Sequence, residues 1–222
     1  MMSFNRRGIA RGLAAAALGV TFGALSGCNY IGAAYVLVKG PEKTPAAHTL
    51  EKDRPTVIFV DDRANVLARR SLRTQIAKSA QDTLLKEGVL TNVIDTSAAM
   101  QVAQREAAGE PLAISELGKA VQAEVVVYVV VDSFTLSTDG QTFTPTAKAH
   151  VKVIDVTSRA RTWPEKKEGH PVNVTLKLAS GDVPKTTTQQ LKALDALAEK
   201  TGVEIAEVFY DSLTHESIRQ GH

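Results

Sequence analysis

Cys28 is the only cysteine in a chain of 222 residues, and it directly follows Leu25, Ser26 and Gly27. A thiolate is a strong nucleophile and a metal ligand, but a single one can neither close a disulfide within the chain nor join a second thiolate on a metal. The other residue types that do chemistry are poorly spaced for it. Asp61 and Asp62 form an adjacent acidic pair, yet the remaining Asp and Glu residues mark no convincing partner carboxylates. His48, His150, His170, His215 and His222 show no H-x-x-x-H spacing, which argues against zinc. No serine lies in a G-x-S-x-G turn, and there is no G-x-x-x-x-G-K-[ST] loop. The chain therefore reads as a non-enzyme, with no catalytic, cofactor-binding or metal-binding residue to assign.

The residues before Cys28 have the makeup of a targeting segment. Arg6, Arg7 and Arg11 give a cationic start with no acidic residue before Cys28, and residues 13–25 are a mostly apolar run ending in small side chains. That run is too short to stay as a membrane-spanning helix, which needs about 20 apolar residues. Leu25-Ser26-Gly27-Cys28 resembles the lipobox of bacterial lipoproteins. The resemblance implies that residues 1–27 are removed as a signal peptide and that Cys28 becomes the first residue, carrying a covalent diacylglycerol and an N-acyl chain. The membrane is then a partner through the lipid anchor. Asn29 is not the aspartate that resembles an inner-membrane retention signal in enteric bacteria, so the expected location is the outer membrane, facing the periplasm. Residues 28–55 read as the lipidated N-terminus and a linker, with Pro41, Pro45 and Pro55 among charged and small residues. If flexible throughout, 29–55 would span on the order of 30 Å.

Loss of three arginines with residues 1–27 takes the net charge from +2 to about −1. With no basic run or aromatic-interleaved basic stripe, nucleic acid is excluded as an expected partner. Residues 56–60 are apolar without alternation, as in a strand covered on both faces. Leu72, Ile76, Ala80 and Leu84 form a helical stripe ending at Gly88. Arg69, Arg70, Arg73, Lys78 and Lys86 fall mostly off it and read as a solvated helix face rather than an anion site. A short strand over 90–94 and helices over 97–107 and 114–123 follow.

Residues 125–131 are apolar at every position and must be central, since an exposed edge of this kind is an aggregation template. After a turn at Asp139-Gly140, the strand 144–155 alternates. Ala147, Ala149, Val151 and Val153 share one face, and Thr146, Lys148, His150 and Lys152 share the other. A last strand over 172–178 leads to a long amphipathic helix over 188–212, interrupted in pattern at Thr201-Gly202. The expected fold is α+β: a mixed β-sheet of about five strands, with helices and a long C-terminal helix packed on it. It occupies 56–213, with a polar tail over 214–222.

This domain resembles the anticodon-binding-like domain of bacterial envelope proteins. The likeness rests on the opening strand 57–60, on Ala123-Glu124-Val125 leading into a long strand, and on Val153-Ile154-Asp155 followed by Trp163. Members include the curli-secretion lipoprotein, the N-terminal domain of the Tol system's periplasmic protein and the lipoprotein activator of a peptidoglycan synthase. The resemblance implies a binding and assembly module without catalytic residues. The expected function is thus a lipid-anchored, non-catalytic adaptor or assembly factor for a periplasmic or outer-membrane complex, with an envelope protein as partner. The alternative is an oligomeric export-pore component like the curli-secretion lipoprotein, and homo-oligomers are compatible with either. A pore needs paired alternating strands of roughly 10 residues, and only 144–155 alternates. Thr146, Lys148, His150 and Lys152 are the candidate partner surface. Val60-Asp61-Asp62 also resembles the magnesium-binding pair of response-regulator receivers, but no acceptor aspartate follows about 45 residues on. A turn or helix-capping role for Asp61, Asp62 or Asn65 is the favoured reading.

Overall fold

The computed structural model describes residues 43–105, 113–139, 142–177 and 183–213. Cys28, the signal segment 1–27, Gly140 and the tail 214–222 lie outside them. The chain divides into two compact units, one of residues 1–44 with 213–222 and one running Pro45–Ser212. Of the first, only Lys43, Thr44 and Leu213 are described.

Among the described residues, the second unit holds a six-stranded mixed sheet and four helices. Its elements are β1 (Thr56–Asp61), α1 (Ser71–Lys86), β2 (Val93–Ile94), α2 (Thr96–Arg105), α3 (Ile114–Ala120), β3 (Val125–Thr135), β4 (Thr146–Asp155), β5 (Arg161–Trp163), β6 (His170–Thr175) and α4 (Thr187–Glu207). The sheet order is β2-β1-β3-β4-β5, and β6 pairs with β4 beside β5. The α+β class, the mixed sheet and the long C-terminal helix agree with expectation. The strand count is one higher because β4 is long enough to carry two short neighbours, β5 at Val153 and Ile154 and β6 from Thr146 to Val151.

Burial explains the strand order. β1 and β3 pair in parallel from Thr56↔Val125 to Asp61↔Val130, and Val57, Ile58, Val60, Val126, Val127 and Val129 have no exposed surface. Strands without a polar face must be sandwiched. The connection from β1 through α1 to β2 and the return through α2 and α3 to β3 cross the sheet in opposite directions. Crossovers of one hand then place their helices on opposite faces. The first face receives α1 and α4, which also touches β4 and β6. α3 lies on the second face, where Gly118 is closely approached by Val126 and Val156.

α4 begins with a capping box, Thr186 accepting from the Gln189 amide while the Gln189 side chain accepts from the Thr186 amide. It then continues without a break through Thr201 and Gly202. The irregularity in its sequence pattern is a contact, not a break. A Cβ on Gly202 would lie 2.5 Å from the Ile76 carbonyl oxygen and 2.8 Å from the Ala80 amide nitrogen, so the two helix backbones touch there.

Residues 45–55, read from sequence as the end of the linker, are a packed strap. The Ala47 amide donates to the Val208 carbonyl at 2.8 Å, and Leu50 is buried. His48 stacks on Trp163 at 5.0 Å, and Trp163 in turn contacts His170 and Phe209. Burial lowers the pKa of His48 and, with the Lys166 charge second, that of His170, and both half-buried rings pack in this stack. Arg54 closes the strap on Asp155 at 2.6 Å, Glu124 at 3.0 Å and Glu51 at 3.1 Å. The Ser158 amide and then Arg54 keep the Asp155 carboxyl down at about 2.

Candidate partner-docking surface

The alternation in β4 is realised. Ala147, Ala149, Val151 and Val153 are buried, Lys148 is exposed, and Thr146, His150 and Lys152 are half-buried. These last four project to the second face. There α3 reaches only the far end of β4, near Val156. Pro171 and Asn173 of β6 pair with His150 and Lys148 and are exposed on the same face. Among the described residues, no helix lies over this polar face from the second half of β3 to the sheet edge.

Two features on it have opposite electrostatic character. His150 Nδ1 lies 2.6 Å from a carboxylate oxygen of Asp132. Asp132 falls at a β-bulge, where the register jumps from Val131 to Ser133, and such a bulge re-aims the extra side chain. Lys148 and Lys152, in contrast, have no ion-pair partner among the described residues.

Lys152 continues a row that sequence reading missed. Phe59 on β1 pairs with Tyr128 on β3, and Tyr128 pairs with Lys152 on β4, so the three side chains lie side by side on the second face. The aromatic rings are nearly parallel, 11° apart with centroids at 6.2 Å. The Tyr128 hydroxyl donates to Asp61 Oδ2 at 2.7 Å, and burial followed by that bond holds the phenol well above its usual range. Arg63 Nε donates to the same oxygen at 2.7 Å, which raises the already basic guanidinium. Arg73 Nε donates to the Val60 carbonyl at 2.9 Å. Arg63 lies over the Tyr128 ring at 5.9 Å and Arg73 over the Phe59 ring at 5.6 Å.

Asp61 is therefore an electrostatic anchor. Asp62 has the turn-capping role expected, accepting from the Val66 and Leu67 amides at 2.8 and 3.1 Å. The one signal for this network in the sequence is Tyr128, the single hydroxyl in the otherwise all-valine run 125–131 of β3. A buried Tyr hydroxyl needs a partner. No side chains in the network form a nucleophile and base pair, and what they offer is hydrogen-bond donors and positive charge. Among the described residues no cluster could hold a metal ion, and no helix is long and apolar enough to cross a membrane.

No family model matches the sequence, and no curated protein does. Among solved structures, the chain is similar to the PelC dodecamer from Paraburkholderia phytofirmans, with 14% identity over 76% of this chain and 97% of that one and a TM-score of 0.43. It is also similar to lipoprotein GNA1162 from Neisseria meningitidis, at 11% identity over 64% and 92% with a TM-score of 0.37. Protein XCC0632 from Xanthomonas campestris gives 9% identity over 81% and 95%, with a TM-score of 0.42. Likeness at these scores supports neither a family nor a role.

Proposed function

We propose that the chain is a lipid-anchored, non-catalytic adaptor or assembly factor of the bacterial cell envelope. In this reading Cys28 carries diacylglycerol and an N-acyl chain, the protein sits on the outer membrane facing the periplasm, and an envelope protein docks on the second face of the sheet. The lipobox supports the anchoring, since each buried methylene contributes about 0.8 kcal/mol and two or more chains hold stably. The resemblance to envelope-assembly domains supports the non-catalytic role. The observation that carries the docking is Lys148 with Lys152, two cations on the second sheet face without ion-pair partners among the described residues. Charges at an interface set association rate and specificity more than affinity.

The experiment is recovery of co-purifying envelope protein from membranes. Cys28→Ser abolishes palmitate labelling and detergent partitioning. Lys148→Glu with Lys152→Glu keeps both, leaves the melting temperature nearly unchanged because surface changes stay within about 0.5 kcal/mol, and lowers recovery of the partner. Equal recovery from the double variant and the parent removes this face as the docking surface.

A further inference from the structure

Arg63 and Arg73 do more than balance Asp61. Between them they carry two positive charges against that one carboxylate, and Asp61 Oδ2 is already taken by the Tyr128 hydroxyl and Arg63 Nε. Arg73 spends its Nε on the Val60 carbonyl, and its Nη2 stands 3.9 Å from Asp61 Oδ1. Apart from Asp61, the Tyr128 phenol and the Val60 carbonyl, neither guanidinium meets an acceptor among the described residues. Each guanidinium lies over a buried aromatic ring, Phe59 being 3% and Tyr128 5% exposed. A guanidinium fixed in this way loses little further freedom on binding and presents its fork to a planar anion.

The row Phe59, Tyr128, Lys152 joins this arginine pair to the lysines of β4. Among the described residues, Arg63 and Arg73 meet at Asp61 at the end of β1, and Lys152 and Lys148 follow on the second face, while Asp61 and Asp132, the carboxylates beside these cations, are both engaged by neighbours. We infer that Arg63 and Arg73 form a carboxylate receptor, and that the partner presents to the sheet an acidic protein segment whose carboxylates meet the arginine pair and then the lysines. This deepens the proposed docking and rests on it for the identity of the face. Charge complementarity selects the occupant, and planar bidentate pairing selects a carboxylate at the arginine end.

The test is calorimetric binding of a synthetic hexaglutamate peptide to the full chain at low salt. Arg63→Lys with Arg73→Lys keeps the charge and removes the planar fork, and should weaken binding about tenfold or more. Arg63→Lys alone, at a side chain that is 66% exposed, should weaken it severalfold with an unchanged melting temperature. Unchanged affinity in the single variant overturns the receptor. Inorganic phosphate that displaces the peptide at equal total charge overturns the acidic-segment occupant in favour of a generic anion site. The two readings fail separately. If the arginine variants lose hexaglutamate while Lys148→Glu with Lys152→Glu leaves partner recovery intact, the receptor stands and the β4 docking surface falls.

Discussion

Val129→Asp is expected to leave no cooperative unfolding transition. Val129 lies in the middle of β3, the strand between β1 and β4, and has no exposed surface. Its side chain shares the first face with Val127 and with Val151 opposite it on β4, under the helices α1 and α4. An uncompensated carboxylate in such a place either protonates or drags water into the sheet, and either outcome costs several kcal/mol. That is comparable with the whole stability of an ordinary domain, about 5–15 kcal/mol. Circular dichroism melting and soluble yield check it. A soluble, cooperatively melting Val129→Asp protein would show that β3 is not central.

The second large effect is expected at Gly202, and here the sign is informative. Replacing a mid-helix glycine by alanine ordinarily gains about 1 kcal/mol in helix propensity. In α4 the added methyl would meet the Ile76 carbonyl and the Ala80 amide of α1, both below 3.0 Å. These are backbone atoms of a packed helix and cannot swing aside. The helices must separate, giving up contacts along a surface where Ile76, Ala80, Leu197 and Ile205 are fully buried. Gly202→Ala should therefore destabilise by more than about 2 kcal/mol, within the range of overpacked cores. Denaturant titration with an unchanged m-value would give the number. A stabilised Gly202→Ala variant would mean that α1 and α4 do not meet there.

These two positions also mark how far the sequence could be read. Val129 was legible because seven consecutive apolar residues admit only a buried strand, and the alternation from Thr146 to Val153 told which face of β4 would be wet. Gly202 was visible only as an irregularity, because a close approach depends on what lies opposite, and Ile76 is 126 positions away in the chain. The same distance problem hid the docking network. Asp61, Arg63 and Tyr128 converge only once β1 and β3 pair in register, and Arg73 looked like one more solvated cation on α1. The strap was misjudged for a compositional reason. Prolines and charges over 39–55 resemble a linker, yet Leu50, the stack of His48 on Trp163 and the Arg54 clamp bind its last residues to the domain. β5 and β6 are short, and their common partner β4 could not be assigned from local pattern.

The most direct test of the adaptor reading is site-specific photo-crosslinking in intact membranes. A photo-reactive residue is placed at position 148 on the open sheet face or, as the comparison, at position 78 on the outer surface of α1. Lys78 is also exposed, with a side chain 65% accessible, but lies on the helical side of the domain. The adaptor reading predicts an envelope protein crosslinked from position 148 and not from position 78. Adducts from position 78 with none from position 148 would contradict it.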